Sequence, residues 1–246
     1  MSAKNRNGPS RELGYYATPS WVTDGAIDML IGTEPVIPAH KWPRRILEPM
    51  AGTGAIVRQL IARGCPAERI KVMEIDRGRA AELARIPGLR GAFYADVFDA
   101  YVNAMHEPAP FDLIITNPDF AQMSNLVRHV LVHRDWLAPG GTLALLGPLN
   151  YLAPADGRGE LHAAFPPDVH HLPRRPSFCA AVTCGARCGW RVLLDPEEPR
   201  PKTCEKCGTK VTITTSDAMN YAWFMWVRGS MNKTSRNFWL KERAER

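Results

Sequence analysis

This 246-residue chain has no apolar run long enough to cross a bilayer. Its longest mostly apolar stretches, such as residues 142–149, fall far short of the roughly 20 residues a spanning helix needs. Residues 1–13, MSAKNRNGPSREL, carry no apolar core of a secretory signal, so a reducing cytoplasmic compartment is expected. There is no internal repeat, which excludes a solenoid. Charge of one sign is not dominant either: 31 Lys and Arg against 25 Asp and Glu leave +6, which permits a polyanionic partner without demonstrating one. With 45% hydrophobic and 23% charged residues, the chain also lacks the composition of a disordered protein. What is present fits one sizeable domain, or one domain carrying a small module. Cysteine is scarce but clustered, and six cysteines in a reducing compartment point to metal before disulfides.

The pattern of apolar residues alternates between the two periods. Residues 19–31 place Trp21, Val22, Ala26, Ile27, Leu30 and Ile31 at helical spacing after a Pro-Ser start. Strands are expected at Arg45-Ile46-Leu47-Glu48-Pro49, ending in a turn, at residues 70–74, at Ala92-Phe93-Tyr94-Ala95, at Leu113-Ile114-Ile115-Thr116, at residues 142–146 and at residues 221–227. Helices are expected after Gly54 through Leu60 and over residues 77–85. A further helix is expected from Phe120 through Leu137, closed by Pro139-Gly140-Gly141. Strands alternating with helices predict an α/β fold, a doubly wound, Rossmann-like and largely parallel sheet with helices on both faces.

The turn Ala51-Gly52-Thr53-Gly54 follows a strand and opens a helix, which lets backbone approach a ligand closely. Glu74 ends the next strand, where an acidic residue meets a ribose hydroxyl pair, and Asp96 ends the third, within reach of an adenine amino group. The loop has neither the Lys-Ser/Thr of a phosphate-binding P-loop nor the third glycine of the nicotinamide fingerprint. That disfavours ATP, GTP and NAD. A Gly-x-Gly turn also occurs as a plain tight turn, and strand-end carboxylates also occur as caps.

Asn117-Pro118-Asp119-Phe120, at the end of the fourth strand, is the sharpest feature. Together with Glu48-Pro49-Met50-Ala51-Gly52-Thr53-Gly54 it resembles the S-adenosylmethionine-dependent amino-methyltransferases, above all the DNA adenine-N6 methyltransferases of small phage and bacterial type. Their corresponding motif is Asn/Asp-Pro-Pro-aromatic. Tyr16-Ala17-Thr18-Pro19 is similar to their N-terminal cofactor-binding segment, and Arg175-Pro176-Ser177-Phe178 and Asn220-Tyr221-Ala222-Trp223-Phe224 resemble later strands. The resemblance implies that Tyr16, Thr18, Glu48, Gly52, Gly54, Glu74, Asp96 and Asn117 hold S-adenosyl-L-methionine. It implies that Asn117, Pro118, Asp119 and Phe120 hold the target base, that DNA is the partner, and that the protein works in a bacterial cytoplasm, its own or a phage host's. The chemistry accounts for the residue types: an exocyclic amine is a poor nucleophile, and two acceptors on its hydrogens aim its lone pair at the methyl group. Enzymes acting on RNA and on protein glutamine use related tetrapeptides, and Asp119 departs from the family's second proline, so three readings stand beside this one. They are methyl transfer to RNA, methyl transfer to a protein glutamine amide, and a DNA-binding homologue with impaired catalysis.

Cys184-x3-Cys188 and Cys204-x2-Cys207, separated by 15 residues, form a paired-knuckle pattern suited to a structural Zn2+. The expected organisation is a methyltransferase domain over residues 1–178 and 216–246 with a zinc ribbon inserted at 179–215. The ribbon is basic (Arg187, Arg191, Arg200, Lys202, Lys206, Lys210) and carries Trp190, so phosphate contact and a rigid cap on the sheet edge are both open. Cys65 and Cys179 fall outside the pattern and read as core thiols. His162, His170 and His171 read as packing or surface residues.

Overall fold

Short runs such as Ile46-Leu47 and Leu113-Ile114-Ile115 are apolar on both faces, as strands sandwiched between two helical layers must be. The computed structural model describes residues 17–89, 92–99, 110–132, 136–154, 157–178, 180–186, 188–215, 219–230 and 234–241. Tyr16, Cys179 and Arg187 lie outside the described residues.

The strands are β1 (Ile46–Glu48), β2 (Ile70–Glu74), β3 (Ala92–Tyr94), β4 (Phe111–Thr116), β5 (Leu137–Pro148), β6 (Asp168–His171), β7 (Ala180–Cys184), β8 (Arg191–Leu194), β9 (Val211–Thr215), β10 (Tyr221–Val227) and β11 (Asn237–Trp239). The α-helices are α1 (Ser20–Leu30), α2 (Ala55–Ala62), α3 (Arg77–Leu83), α4 (Met123–Val132) and α5 (Arg158–Ala164). Eight strands form one sheet in the order β11-β6-β10-β5-β4-β1-β2-β3, and β8-β7-β9 form a second. Within the large sheet β10 alone, among the described residues, runs against its neighbours.

Alternate residues of each strand feed two apolar layers. Ile46, Leu113, Ile115, Ala144, Leu146 and Trp223 join the layer packed by α1, α2 and Leu83 of α3. Leu47, Ile114, Leu143, Leu145 and Phe224 join the layer packed by α4 and by Leu161 of α5. This is the doubly wound arrangement. The chain reverses its direction of strand addition between β1 and β4, which lie side by side (Ile46↔Leu113, Leu47↔Ile114). A crevice at the carboxyl ends of the parallel strands is the geometric consequence. Among the described residues no helix is long and apolar enough to cross a membrane.

Two expectations require correction. The helix from Phe120 through Leu137 is shorter: among the described residues α4 is Met123–Val132, and Leu137 opens β5 opposite Phe111. Leu137 keeps the helical period from Val130, so periodicity could not separate them; the pairing with β4 decides. Pro139, Gly140 and Gly141 then form an irregularity inside β5 rather than a stop after a helix, with Gly140 at φ 76° and Arg228 bonded to both glycines. Arg175-Pro176-Ser177-Phe178 forms no strand, because prolines at 173 and 176 remove ladder donors there.

Candidate active site and cysteine cluster

The turn after β1 is built by glycine backbone and braced from β2. Gly52 (φ 57°) and Gly54 (φ 90°) both occupy the left-handed region. At Gly54 a Cβ would stand 2.8 Å from Leu83 Cδ2 and 2.9 Å from Ile86 Cδ1, so the glycine also allows α3 to pack close. The Glu74 carboxylate accepts from the Gly52 amide at 2.7 Å and from the Asp76 amide at 2.8 Å, and it pairs with Arg79 at 3.3 Å. The acidic strand end therefore holds the glycine turn in place. Asp96 accepts from the Phe98 amide at 2.9 Å, closing the turn after β3.

Glu48, at the carboxyl end of β1, is 2% exposed. Burial, and then the nearby charge of Glu74, pushes its carboxyl well above the usual carboxylate range. Its Oε2 has no hydrogen-bond partner among the described residues, and the same holds for the buried Thr116 Oγ1 at the end of β4. Two orphaned polar oxygens thus sit at the ends of the two strands that flank the switch point. Sequence reading did not single out Thr116; its position one residue before the Asn-Pro motif was the available signal.

The Asn-Pro motif follows directly. Asn117 Nδ2 donates to Thr18 Oγ1 at 3.1 Å, so the segment before α1 and the loop after β4 meet. Pro118 is buried. Asp119 is exposed, and its Oδ1 accepts from the Ala121 amide at 3.1 Å while its carbonyl accepts from Gln122 at 2.8 Å. It forms an Asx turn leading into α4, so the loop that proline stiffens by its ring is here stiffened by side-chain hydrogen bonding. The Phe120 ring lies 5.7 Å from Tyr221, which in turn meets Phe178 edge-on at 5.0 Å. The structure thus brings Thr18, Asn117, Pro118 and Phe120 into one cluster, and Glu48, Gly52, Gly54 and Glu74 into a neighbouring one at the same sheet edge. Asp96 lies on the adjoining turn, beyond β2.

The four cysteines singled out by spacing converge: their sulfurs all lie within 4.8 Å of one another. Cys184 to Cys207 is 3.4 Å, Cys188 to Cys204 is 3.6 Å, and Cys188 to Cys207 is 3.7 Å. A tetrahedron with metal–sulfur bonds of about 2.3 Å has edges of about 3.8 Å, so these separations match a tetrathiolate cage. They are far longer than the roughly 2.05 Å of a disulfide. The Ala186 amide points at Cys184 Sγ at 3.2 Å, and Gly189 and Gly208 (φ 71° and 70°) make the turns after Cys188 and Cys207. The hydroxyl and amide of Thr209 lower the Cys207 thiol to about 6, while hydrogen bonding to the other thiols, Cys188 first, raises Cys184 to about 12. Cys65 is a buried free thiol. The three histidines pack: His162 against Tyr151, His170 on Phe238, His171 on Trp239.

A doubly wound sheet with one antiparallel strand, a glycine turn after β1 and polar groups gathered at its carboxyl edge has the Rossmann-like fold of methyltransferases. The chain is 30% identical over 127 residues to the trans-aconitate 2-methyltransferase of Streptomyces avermitilis, a match covering 51% of this chain and 46% of that protein. The chain thus spans about half the length of the curated relative it matches. A chain of a type I restriction–modification system superposes with a TM-score of 0.51 at 13% identity, covering 91% of this chain and 44% of the other. The 16S rRNA N2 methyltransferase of Thermus thermophilus, solved with AdoMet and guanosine, gives 0.47 at 17% identity, covering 88% and 44%. No family model matches the chain.

Proposed function

We propose that this chain transfers a methyl group from S-adenosylmethionine to the exocyclic N6 amine of adenine in DNA. The observation that carries the reading is the bond from Asn117 Nδ2 to Thr18. It fixes the amide so that Oδ1, the acceptor, points away from Thr18. The Oδ1 of Asn117 and the Pro118 carbonyl then each accept one amine hydrogen. Phe120, braced by Tyr221, stacks on the extruded base. When bound, the cofactor supplies a methyl group activated by a sulfonium cation. Its positive charge fits the donor set: the orphaned Glu48 oxygen is buried at the carboxyl end of β1, in surroundings that raise its carboxyl, and a cation beside it would oppose that shift. The glycine turn admits the cofactor's close approach, and Glu74 retains lone pairs for a ribose hydroxyl beyond those spent on Gly52 and Asp76. The cofactor would give its methyl group to the amine held by Asn117 and Pro118, and the displaced amine proton would pass to solvent. Positioning and electrostatics, not a strong base, carry the rate.

Asp119 is the residue on which a catalytically impaired homologue would rest. Its Asx turn keeps the loop defined, and this favours a working enzyme. Purified protein with methyl-labelled cofactor on unmethylated DNA, RNA and ribosomal protein tests the proposal. Label in N6-methyladenine of DNA is the expected result. Label in RNA, in a glutamine amide or only in N4-methylcytosine would reassign the substrate, and no label anywhere would leave a binding homologue.

We further propose that Cys184, Cys188, Cys204 and Cys207 hold one structural Zn2+, and that residues 179–215 are an insert in the methyltransferase domain. The sulfur separations support the first, and the separate β8-β7-β9 sheet supports the second. Arg191, Arg200, Lys202, Lys206 and Lys210 give the insert the charge to meet a DNA backbone.

A further inference from the structure

Helix α1 begins with a residue that cannot cap it. Its N-cap is Pro19, which has no polar side chain, and no acidic residue occupies its first turn. The Ser20 amide is nevertheless satisfied: it donates to Glu197 Oε1 at 2.8 Å, across 177 positions of sequence. A carboxylate at this end of an 11-residue helix is also favoured by the helix dipole. Glu197 belongs to the cysteine-bearing segment, in the turn that follows β8. That turn is braced within itself. The Glu198 side chain accepts from the Asp195 amide, the Asp195 carbonyl accepts from the Glu198 amide, and Arg200 donates to the Pro196 carbonyl. Glu197 therefore reaches α1 from a shaped loop.

We infer that Glu197 is a positioning residue for methyl transfer: by holding the start of α1 it keeps Thr18 against Asn117. Thr18 lies two residues before Ser20, and its hydroxyl receives the Asn117 amide at 3.1 Å. The path from the insert to the proposed amine site is thus Glu197, Ser20, Thr18, Asn117. A second path runs through the root of the insert, where Phe178 packs on Tyr221 and Tyr221 on Phe120. The cysteine cluster controls the first path. The Glu197 turn lies within the 15 residues between Cys188 and Cys204, whose sulfurs are 3.6 Å apart. Closing that loop with a bound metal removes the freedom that would otherwise blur the carboxylate's position. The inference rests on the methyltransferase reading for its catalytic consequence but not for the contact itself.

The test uses the full chain loaded with Zn2+ and two variants, Glu197→Ala and Glu197→Gln. Hydrogen–deuterium exchange over residues 17–24 reads the contact without any reference to activity. Methyl transfer to DNA at saturating cofactor reads its consequence. Glu197→Ala is expected to speed exchange at the start of α1 and to lower kcat on the order of tenfold with KM for DNA unchanged. Glu197→Gln, which keeps an acceptor oxygen, is expected to restore most of both. In a Thr18→Val background, Glu197→Ala should lower kcat little further, because the residue acts through Thr18. Chelation of the metal should reproduce the faster exchange. Unchanged exchange in Glu197→Ala overturns the inference, as does faster exchange with an unchanged kcat, or a full additional loss in the Thr18→Val background. Wild-type protein that methylates nothing would instead count against the methyltransferase reading, with the exchange result still deciding whether Glu197 holds α1.

Discussion

Thr18 and Asn117, 99 positions apart in the chain, are joined by a 3.1 Å hydrogen bond from the Asn117 amide to the Thr18 hydroxyl. The bond makes one unit of the segment before α1 and the loop after β4. It also leaves the Asn117 amide oxygen turned away from Thr18. Removing either partner should therefore damage chemistry more than binding. Asn117→Ala is expected to abolish methyl transfer, a loss of at least about a hundredfold, with cofactor affinity by calorimetry within a few-fold of wild type. Thr18→Val keeps the shape and removes the hydroxyl, and kcat should fall on the order of tenfold. Retained transfer by Asn117→Ala would remove the amide from the mechanism.

Asp119 separates two roles that sequence alone could not. If it serves the loop by its Asx turn with the Ala121 amide, asparagine can replace it and alanine cannot. Asp119→Asn should keep activity within about threefold, whereas Asp119→Ala should cost about 1 kcal/mol of stability in urea unfolding. A large loss of activity in Asp119→Asn would show instead that its negative charge acts on the nitrogen that becomes cationic.

Glu74 faces two amide donors, Gly52 at 2.7 Å and Asp76 at 2.8 Å. Glu74→Gln would turn an NH2 group toward one of them, leaving a buried donor without an acceptor, and it would remove the charge that meets Arg79. A cost of about 1–3 kcal/mol is expected, measured by chemical unfolding, together with weaker cofactor binding. A variant as stable as its parent would mean that the glycine turn holds itself.

Much of this organisation was legible in the sequence because it depends on short-range pattern. Ile70–Glu74 and Tyr221–Val227 are strands at the expected bounds, and Ile46–Glu48 is one residue shorter at each end than expected. Each is a mostly apolar run, interrupted only at Lys71 and ended by a charge or a turn, as a strand buried on both faces requires. The cysteine spacing announced a cluster because four sulfurs within so short a segment can meet with little backbone rearrangement. What escaped was set by distant partners. β6 reads as polar Asp-Val-His-His, and it becomes a strand through pairing with β10 and β11 and through the ion pair of Asp168 with Arg236. The Glu197–Ser20 contact had no local signature at all, since an acidic residue in a turn looks solvated until a helix end is brought to it. Glu74 was read as a ribose ligand from its place at a strand end, and its bracing of Gly52 emerged only from the fold.

The cysteine cluster makes a stoichiometric prediction. Wild-type protein should carry one Zn2+ per chain by elemental analysis. Cys204→Ser, at the most buried of the four positions (2% exposed), should reduce this to a small fraction and lower the melting temperature. Few large apolar residues support this segment, so a bound metal would supply stability that a core supplies elsewhere. Unchanged zinc content and melting would reject a tetrathiolate site.

His170 gives the fold a pH dependence whose direction follows from packing. Its ring stacks on Phe238 at 4.5 Å, and burial lowers its pKa to about 4 despite the opposing pull of Asp168, with Arg236 and His171 adding to the depression. In the unfolded chain the same imidazole titrates near its ordinary value of about 6.5. Between these two values the unfolded chain binds a proton that the folded chain refuses, so stability falls as pH drops from about 6.5 toward about 4. Above that window this group contributes no slope. Urea unfolding at a series of pH values should show the decline in wild type and a shallower one in His170→Gln, because glutamine does not titrate. Equal slopes in the two proteins would mean that the acid sensitivity originates elsewhere, and that His170 takes its proton while still stacked in the fold.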